Sequence, residues 1–175
     1  IKRDAASAAS HFSAATFTYW DRLLPIARSG SKAQILSLPP SERYDVVAMR
    51  HRCTAAELKT LTGPFWLKLA MERGEYLGDE MTELGSIKVR GDFAEAQVLW
   101  EGDRLVDQNN KPVLVLFVKE QGGWKFDLPH NDKYANYWIE WGAKMERRDL
   151  NDYLLDMEED STGKRPRGDI YDRPN

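Results

Sequence analysis

The sequence contains little cysteine and little histidine, and this scarcity limits the chemistry it can perform. Its single cysteine, Cys53, excludes an internal disulfide, and its three histidines, His11, His51 and His130, are too widely spaced for a metal-binding motif. His51 and Cys53 are two residues apart, a spacing at which side chains on a helix do not face each other. We therefore predict no metal site, no cofactor and no nucleophilic thiol.

A strong excess of charge of one sign is also absent. The net charge is −3, although 30% of the residues are charged. Domains dedicated to nucleic acid are normally basic, so we predict no nucleic-acid partner. Two short basic runs, at 50–52 and 164–167, are interpreted as solvated surface.

Long apolar runs are missing as well. No stretch of the 175 residues approaches the roughly 20 apolar residues that span a bilayer, so we predict no membrane span in this sequence. The sequence starts at Ile1 rather than at a methionine, which leaves a preceding signal peptide, an anchor or a disordered tail as alternatives. We expect an extracytoplasmic location on this basis.

The first half of the sequence has the periodicity of helices. Apolar residues recur at spacings of three and four from about residue 5 to residue 28, and Pro25 is expected to kink or end that helix. Thr54 and Glu57 form the pattern of a capping box, in which each side chain bonds the free backbone N–H of the other. Further helices are predicted at 32–38, 42–52, 54–62 and 64–76.

The periodicity then changes to that of strands. Ile87 and Val89 alternate with polar residues, and Gly91-Asp92 has the composition of a turn. In the next strand, at 93–101, one face carries Ala94, Ala96, Val98 and Trp100. Two more strands are predicted at 112–120 and 124–128, and the short turns between neighbouring strands indicate an antiparallel meander.

A helical pattern returns at the C-terminus. Residues 131 to about 159 are predicted to form one long helix, whose first half carries an aromatic stripe. The second half is highly charged and has too little apolar surface to pack fully on its own domain. The polar segment 161–175 is predicted to be a tail that is disordered alone.

The segment Phe117–Leu128, with the sequence FVKEQGGWKFDL, resembles the last hairpin of the NTF2-like superfamily, in which a "GWKxD" or "GWKI" strand closes a curved sheet. Residues 87–101 resemble the "GDxAxV" strand pair of the same superfamily, and the resemblance covers about residues 10–129. It implies an α+β cone, with N-terminal helices packed on a curved antiparallel sheet around a pocket. The superfamily includes enzymes of the SnoaL and ketosteroid-isomerase types as well as non-catalytic binding domains, so this fold does not define a function.

We accordingly predict an NTF2-like domain at 1–130, an added C-terminal helix at 131–160 and a tail at 161–175. Added segments of this kind more often contact partners than perform chemistry, so we favour a non-catalytic interaction or assembly domain. Its partner would be another protein or a second copy of the chain. The predicted contact residues are Trp138, Trp141, Met145, Arg147, Arg148 and Leu154.

Two alternatives remain open. The first is a pocket enzyme of the ketosteroid-isomerase or dehydratase type, for which Asp127, Tyr19 and Asp21 are the only candidates. Lys125 and Asp127 are expected to face solvent or to pair across strands, and neither His11 nor His130 has a predicted partner. The second is a protein that binds a small apolar ligand. Its candidate pocket residues are Trp66, Trp100, Phe117, Trp124 and Phe126.

Overall fold

The computed structural model describes residues 9–72, 83–100, 103–104, 106–107 and 109–172. Within these residues the protein has an α+β fold, with seven helices and an antiparallel sheet. The helices are α1 Ala14–Ser29, α2 Lys32–Leu36, α3 Pro40–Arg52, α4 Ala55–Thr60, α5 Gly63–Glu72, α6 Leu128–Met145 and α7 Leu150–Thr162. The strands are β1 Glu83–Arg90, β2 Phe93–Trp100, β3 Asp103–Arg104, β4 Leu114–Glu120 and β5 Gly123–Phe126.

The chain divides into two compact units. The sheet unit comprises Ile1–Thr16 and Leu67–Asn131, and the helical unit comprises Phe17–Trp66 and Asp132–Asn175. In the sheet unit the strands follow the order β1-β2-β4-β5, and the short β3 pairs with β2. Every pairing is antiparallel, so the predicted meander is confirmed.

The register of the sheet sets one apolar face. Val89 lies opposite Ala94, which lies opposite Phe117, which lies opposite Phe126, and directly opposed residues share a face. Ala94, Ala96 and Val98 are all buried, as their alternation predicts. Between Leu84 and Ile87 the register shifts through a β-bulge, which leaves both residues on this same face.

The two edges of the sheet differ. Along β5, the Phe126 N–H donates to the His11 carbonyl at 2.7 Å and the Ser13 N–H donates to the Phe126 carbonyl at 2.9 Å, so residues 11–13 cover that edge. On the other side, β1 pairs only with β2 among the residues that the structure describes. In the described part of the chain, the outer edge of β1 is therefore an open edge of the sheet.

The helical unit has a buried ion network between α3 and α7. Glu158 is fully buried, and its Oε1 lies 2.9 Å from His51 Nδ1 and 2.8 Å from Arg52 Nε. Its Oε2 accepts from Arg52 Nη2 at 2.5 Å. The interpretation of residues 50–52 as solvated surface was therefore wrong, since Arg50 is buried too.

The C-terminal region is two helices rather than the one long helix that we predicted. Helix α6 begins at Leu128, earlier than expected, and ends at Met145. Arg147 then adopts a left-handed φ of 54°, and the side chain of Asp149 caps α7 by accepting from the Asn151 N–H at 2.8 Å. The charged segment packs through Leu154 and Glu158, contrary to the prediction that it has too little apolar surface.

The tail was also predicted incorrectly. Arg50 donates to the carbonyls of Ile170 at 3.0 Å and Asp172 at 2.6 Å, and Ile170 and Tyr171 are buried. Because main-chain carbonyls carry this contact, polar composition does not prevent the segment from packing. Near the start of the chain, α1 continues through Pro25 to Ser29, so the proline does not end the helix.

We predict that Glu158→Gln lowers the free energy of unfolding by about 3 kcal/mol, because it removes the buried negative charge that pairs with the Arg52 guanidinium. Urea denaturation measures this change. Glu159→Gln is the matched control, since Glu159 pairs with Arg165 at the surface and its loss should cost less than about 1 kcal/mol. Equal losses in the two variants would contradict a structural role for the buried network.

Candidate functional site

Asp127 lies at the junction of β5 and α6 and is almost completely buried. The Ser13 hydroxyl donates to its Oδ1, and the ring Nδ1 of His130 contacts its Oδ2. The expectation that Asp127 faces solvent or pairs across strands was therefore wrong. Lys125, which lies on β5 two residues before Asp127, donates to the Ser10 carbonyl.

His130 is the functional candidate that the sequence did not reveal. Its side chain is 56% exposed, and its Nδ1 rests on a buried carboxylate. A carboxylate bound to Nδ1 fixes the tautomer and leaves Nε2 able to accept a proton, the arrangement of a general base. The sequence feature that could have predicted this contact is the spacing of three between Asp127 and His130, which brings side chains together at the start of a helix. Because the helix was predicted to begin at Asn131, the two residues were not related.

The same contacts also build a helix cap. Asp127 immediately precedes α6 and its Oδ2 accepts from the His130 backbone N–H at 3.3 Å, as an N-cap residue does. Asn131 Oδ1 accepts from the Leu116 N–H at 2.9 Å, and Thr16 Oγ1 accepts from the Leu128 N–H at 3.0 Å. These bonds fix the start of α6, which accounts for the burial of Asp127 without any chemistry.

Tyr19, the second catalytic candidate, belongs to a cluster in the helical unit. Its hydroxyl lies 3.1 Å from Asp45 Oδ2 and 3.4 Å from Asp132 Oδ1. Burial raises the pKa of Asp45 to about 7, while the Tyr19 hydrogen bond acts in the opposite direction and the Asp132 charge raises it further. Burial, followed by the charges of the two carboxylates, also raises the pKa of Tyr19. The cluster is therefore able to hold a proton near neutral pH.

Asp21, the third catalytic candidate, has a structural contact. Its Oδ1 accepts from the Gly63 N–H at 2.7 Å at the start of α5. A carboxylate at a helix N-terminus satisfies a backbone donor that has no partner within the helix. This contact connects α1 to α5 and explains the residue without catalysis.

The residues predicted to line a pocket have different surroundings. Trp66 is fully buried in the helical unit, with the Arg52 guanidinium 6.0 Å from its ring centroid. In the sheet unit, Phe117 and Phe126 pack edge to face at 6.3 Å, and Phe126 packs likewise on Phe12 at 5.5 Å. Trp124 is exposed, and the side chain of Trp100 lies outside the described part of the structure.

One cleft of about 350 Å³ in the helical unit is lined by both basic runs of the sequence. Two of its cations already have partners. All five N–H groups of the Arg50 guanidinium donate to main-chain carbonyls, and Arg165 pairs with Asp156 and Glu159. Arg50 therefore has no free N–H group left to donate to an anion.

The residues predicted to contact a partner are only partly at the surface. Trp138 and Trp141 are half-buried and pack edge to face on α6, at 5.6 Å. Met145 is 62% exposed, and the exposed Arg147 and Arg148 follow it. The prediction for Leu154 as a contact residue does not fit the structure, because Leu154 is fully buried beside α3 within its own unit.

A more exposed apolar surface lies on β1. Leu84, Ile87 and Val89 are 48%, 58% and 59% exposed, and all three project from the apolar face of the sheet. We call these three residues the β1 patch. They lie opposite Val98, Ala96 and Ala94, which are buried on β2, so the buried face of the sheet continues into an uncovered one.

Comparisons with known proteins identify no relative. The chain matches no family model, no curated protein and no solved structure at a significant level. No helix in the described residues is long and apolar enough to cross a membrane. The same residues contain no cluster of His, Cys, Asp and Glu side chains suited to a metal ion.

We predict that Asp45 makes stability depend on pH. Its pKa is about 7 in the folded protein against 3.8 for the unperturbed group, so the folded state binds the proton more tightly. The stabilisation that comes from this tighter proton binding is complete below about pH 4 and is lost as the pH rises through about 7. Urea denaturation from pH 4 to 8 should show this decline in the native protein and a flatter profile in Asp45→Asn.

Tyr19→Phe provides the control for this assignment. It removes the hydrogen bond that lowers the pKa of Asp45, so the decline in stability should begin at the same pH and extend to higher pH. Identical pH profiles in the native protein and in Asp45→Asn would show that another group is responsible.

Proposed function

We propose that this chain is a non-catalytic interaction domain that contacts a partner through the β1 patch. One observation carries the proposal: three large apolar side chains on a single edge strand are about half exposed or more, on the face that is buried one strand further in. Contiguous exposed apolar surface on a folded protein marks an interaction site. A small apolar ligand would need an enclosing pocket, which a protruding strand does not provide.

The backbone of β1 supports the same proposal. An edge strand with unpaired N–H and C=O groups is a template for pairing, and many proteins protect such edges. Residues 11–13 cover the β5 edge, whereas β1 has a partner on one side only in the described part of the chain. The uncovered strand is therefore also the one that carries the apolar patch.

We also propose that the chain has an NTF2-like fold. It is supported by the order of elements, with helices followed by an antiparallel meander, and by the Gly122-Gly123 turn between β4 and β5. The contact surface we propose differs from the predicted C-terminal one. Leu154 and Glu158 hold α7 within the helical unit, which leaves the exposed Met145 as a smaller surface on α6.

A second candidate function is proton transfer of the ketosteroid-isomerase type. The observation that favours it is the contact of exposed His130 with buried Asp127, which supplies the acid–base pair that the sequence alone did not reveal. In this reaction His130 would remove a proton next to a carbonyl, and Asp127 would stabilise the imidazolium.

The interaction proposal predicts where a cross-link forms. A photo-reactive amino acid at Val89, expressed in cells of the source organism, should give a defined protein adduct that mass spectrometry identifies. The same group at Phe65 is the matched control, since Phe65 is also an exposed apolar residue but lies on α5. Equal labelling from both positions, or none from Val89, would contradict the proposal.

The proton-transfer candidate has a separate test. With a β,γ-unsaturated 3-ketosteroid as the probe, an enzyme of this type would form the conjugated enone, detected by its absorbance. His130→Gln should then reduce the rate by about 100-fold or more, and His11→Gln should leave it unchanged because His11 is an exposed residue outside the pair. No reaction above the uncatalysed rate would exclude this chemistry on that substrate.

A further inference from the structure

We infer that the partner of the β1 patch is a second copy of this chain, whose β1 lies antiparallel beside the first. The inference rests on the proposed function and specifies the partner. Two identical strands related by a twofold axis pair antiparallel, and the same surface then serves both subunits. The sequence of β1 is self-complementary in that arrangement.

Charge complementarity identifies the second copy. When the strands Glu83–Arg90 pair about their midpoint, Glu83 lies opposite the partner's Arg90 at each end. Both residues are exposed, and neither side chain makes a hydrogen bond or ion pair within the described residues. The pairing therefore gives each of these opposite charges a counter-charge that the described residues of its own chain do not provide.

The apolar residues fit the same register. One position further in, Leu84 lies opposite the partner's Val89, again at both ends of the pair. Within the sheet, Leu84 and Val89 lie opposite Val98 and Ala94, which share a face because they are four residues apart on β2. The charged pair occupies the other face, since Glu83 and Arg90 lie opposite Leu99 and Phe93. Each pair is therefore brought together on one side of the joined sheets.

The bulge and the covered β5 edge limit this assembly to a dimer. The bulge between Leu84 and Ile87 falls at the centre of the pair and confines regular pairing to the two ends. Among the described residues each copy has one open edge, because residues 11–13 cover the other. Joining two copies through β1 uses both open edges, so the sheet closes as a dimer and does not extend into a fibre.

Reciprocal charge exchange tests this register. Sedimentation velocity over a range of concentrations should show a dimer for the native chain. Glu83→Arg and Arg90→Glu should each weaken it by about tenfold or more, since each places like charges opposite one another. The double variant E83R/R90E restores opposite charges and should return the dissociation constant to within about threefold of the native value.

Lys88→Glu is the matched control. Lys88 is exposed on the same strand and has the same charge as Arg90, but in this register it lies opposite the partner's Gly85. Reversing the charge of Lys88 should leave the dissociation constant of the dimer unchanged. A native chain that stays monomeric, or a double variant no tighter than the single ones, would overturn the inference.

The cross-link at Val89 separates the failure of this inference from the failure of the proposed function. An adduct of twice the chain mass supports the second copy. An adduct with a different protein, from a chain that sediments as a monomer, overturns the second copy but retains the interaction domain. The absence of any adduct from Val89 overturns both.

Discussion

The register shift in β1 is the constraint on which the proposed surface depends. Side chains alternate between the faces of a strand, so residues three apart, such as Leu84 and Ile87, would normally point to opposite sides. The bulge inserts one extra residue between them and returns both to the apolar face. A regular strand would present only Ile87 and Val89 there, and Leu84 would join the polar face. The size of the exposed patch is therefore a consequence of one local irregularity.

The alternation of apolar residues and the glycines in the turns made the sheet predictable from the sequence. Alternation at Ala94, Ala96 and Val98, bounded by glycine turns, fixes which face of β2 is buried, and antiparallel strands follow from short connections. The capping box at Thr54 and Glu57 is equally local, and the structure contains it as predicted. These features were accessible because each depends on residues that are close together in the sequence.

The features that sequence reasoning missed depend on contacts between distant residues or on backbone geometry. Arg50 holds the C-terminal segment through the carbonyls of Ile170 and Asp172, and a carbonyl carries no side-chain signature. The left-handed conformation of Arg147 divides the predicted helix, although arginine has no particular preference for that conformation. The contact between Asp127 and His130 became visible only once the start of α6 was known.

The two functional candidates, the Asp127–His130 pair and the β1 patch, differ in whether contacts within the fold explain their burial or exposure. The carboxylate of Asp127 is buried, and its contacts with Ser13, the His130 ring and the His130 N–H fix the entry to α6, so the fold already accounts for them. In the β1 patch no contact among the described residues explains why Ile87 and Val89 remain exposed, which costs free energy because apolar surface stays in water. Covering the patch with another molecule would recover that free energy. An interaction surface therefore accounts for a feature that the isolated fold leaves unexplained, whereas catalysis at Asp127 adds a second explanation to contacts that the helix cap already requires.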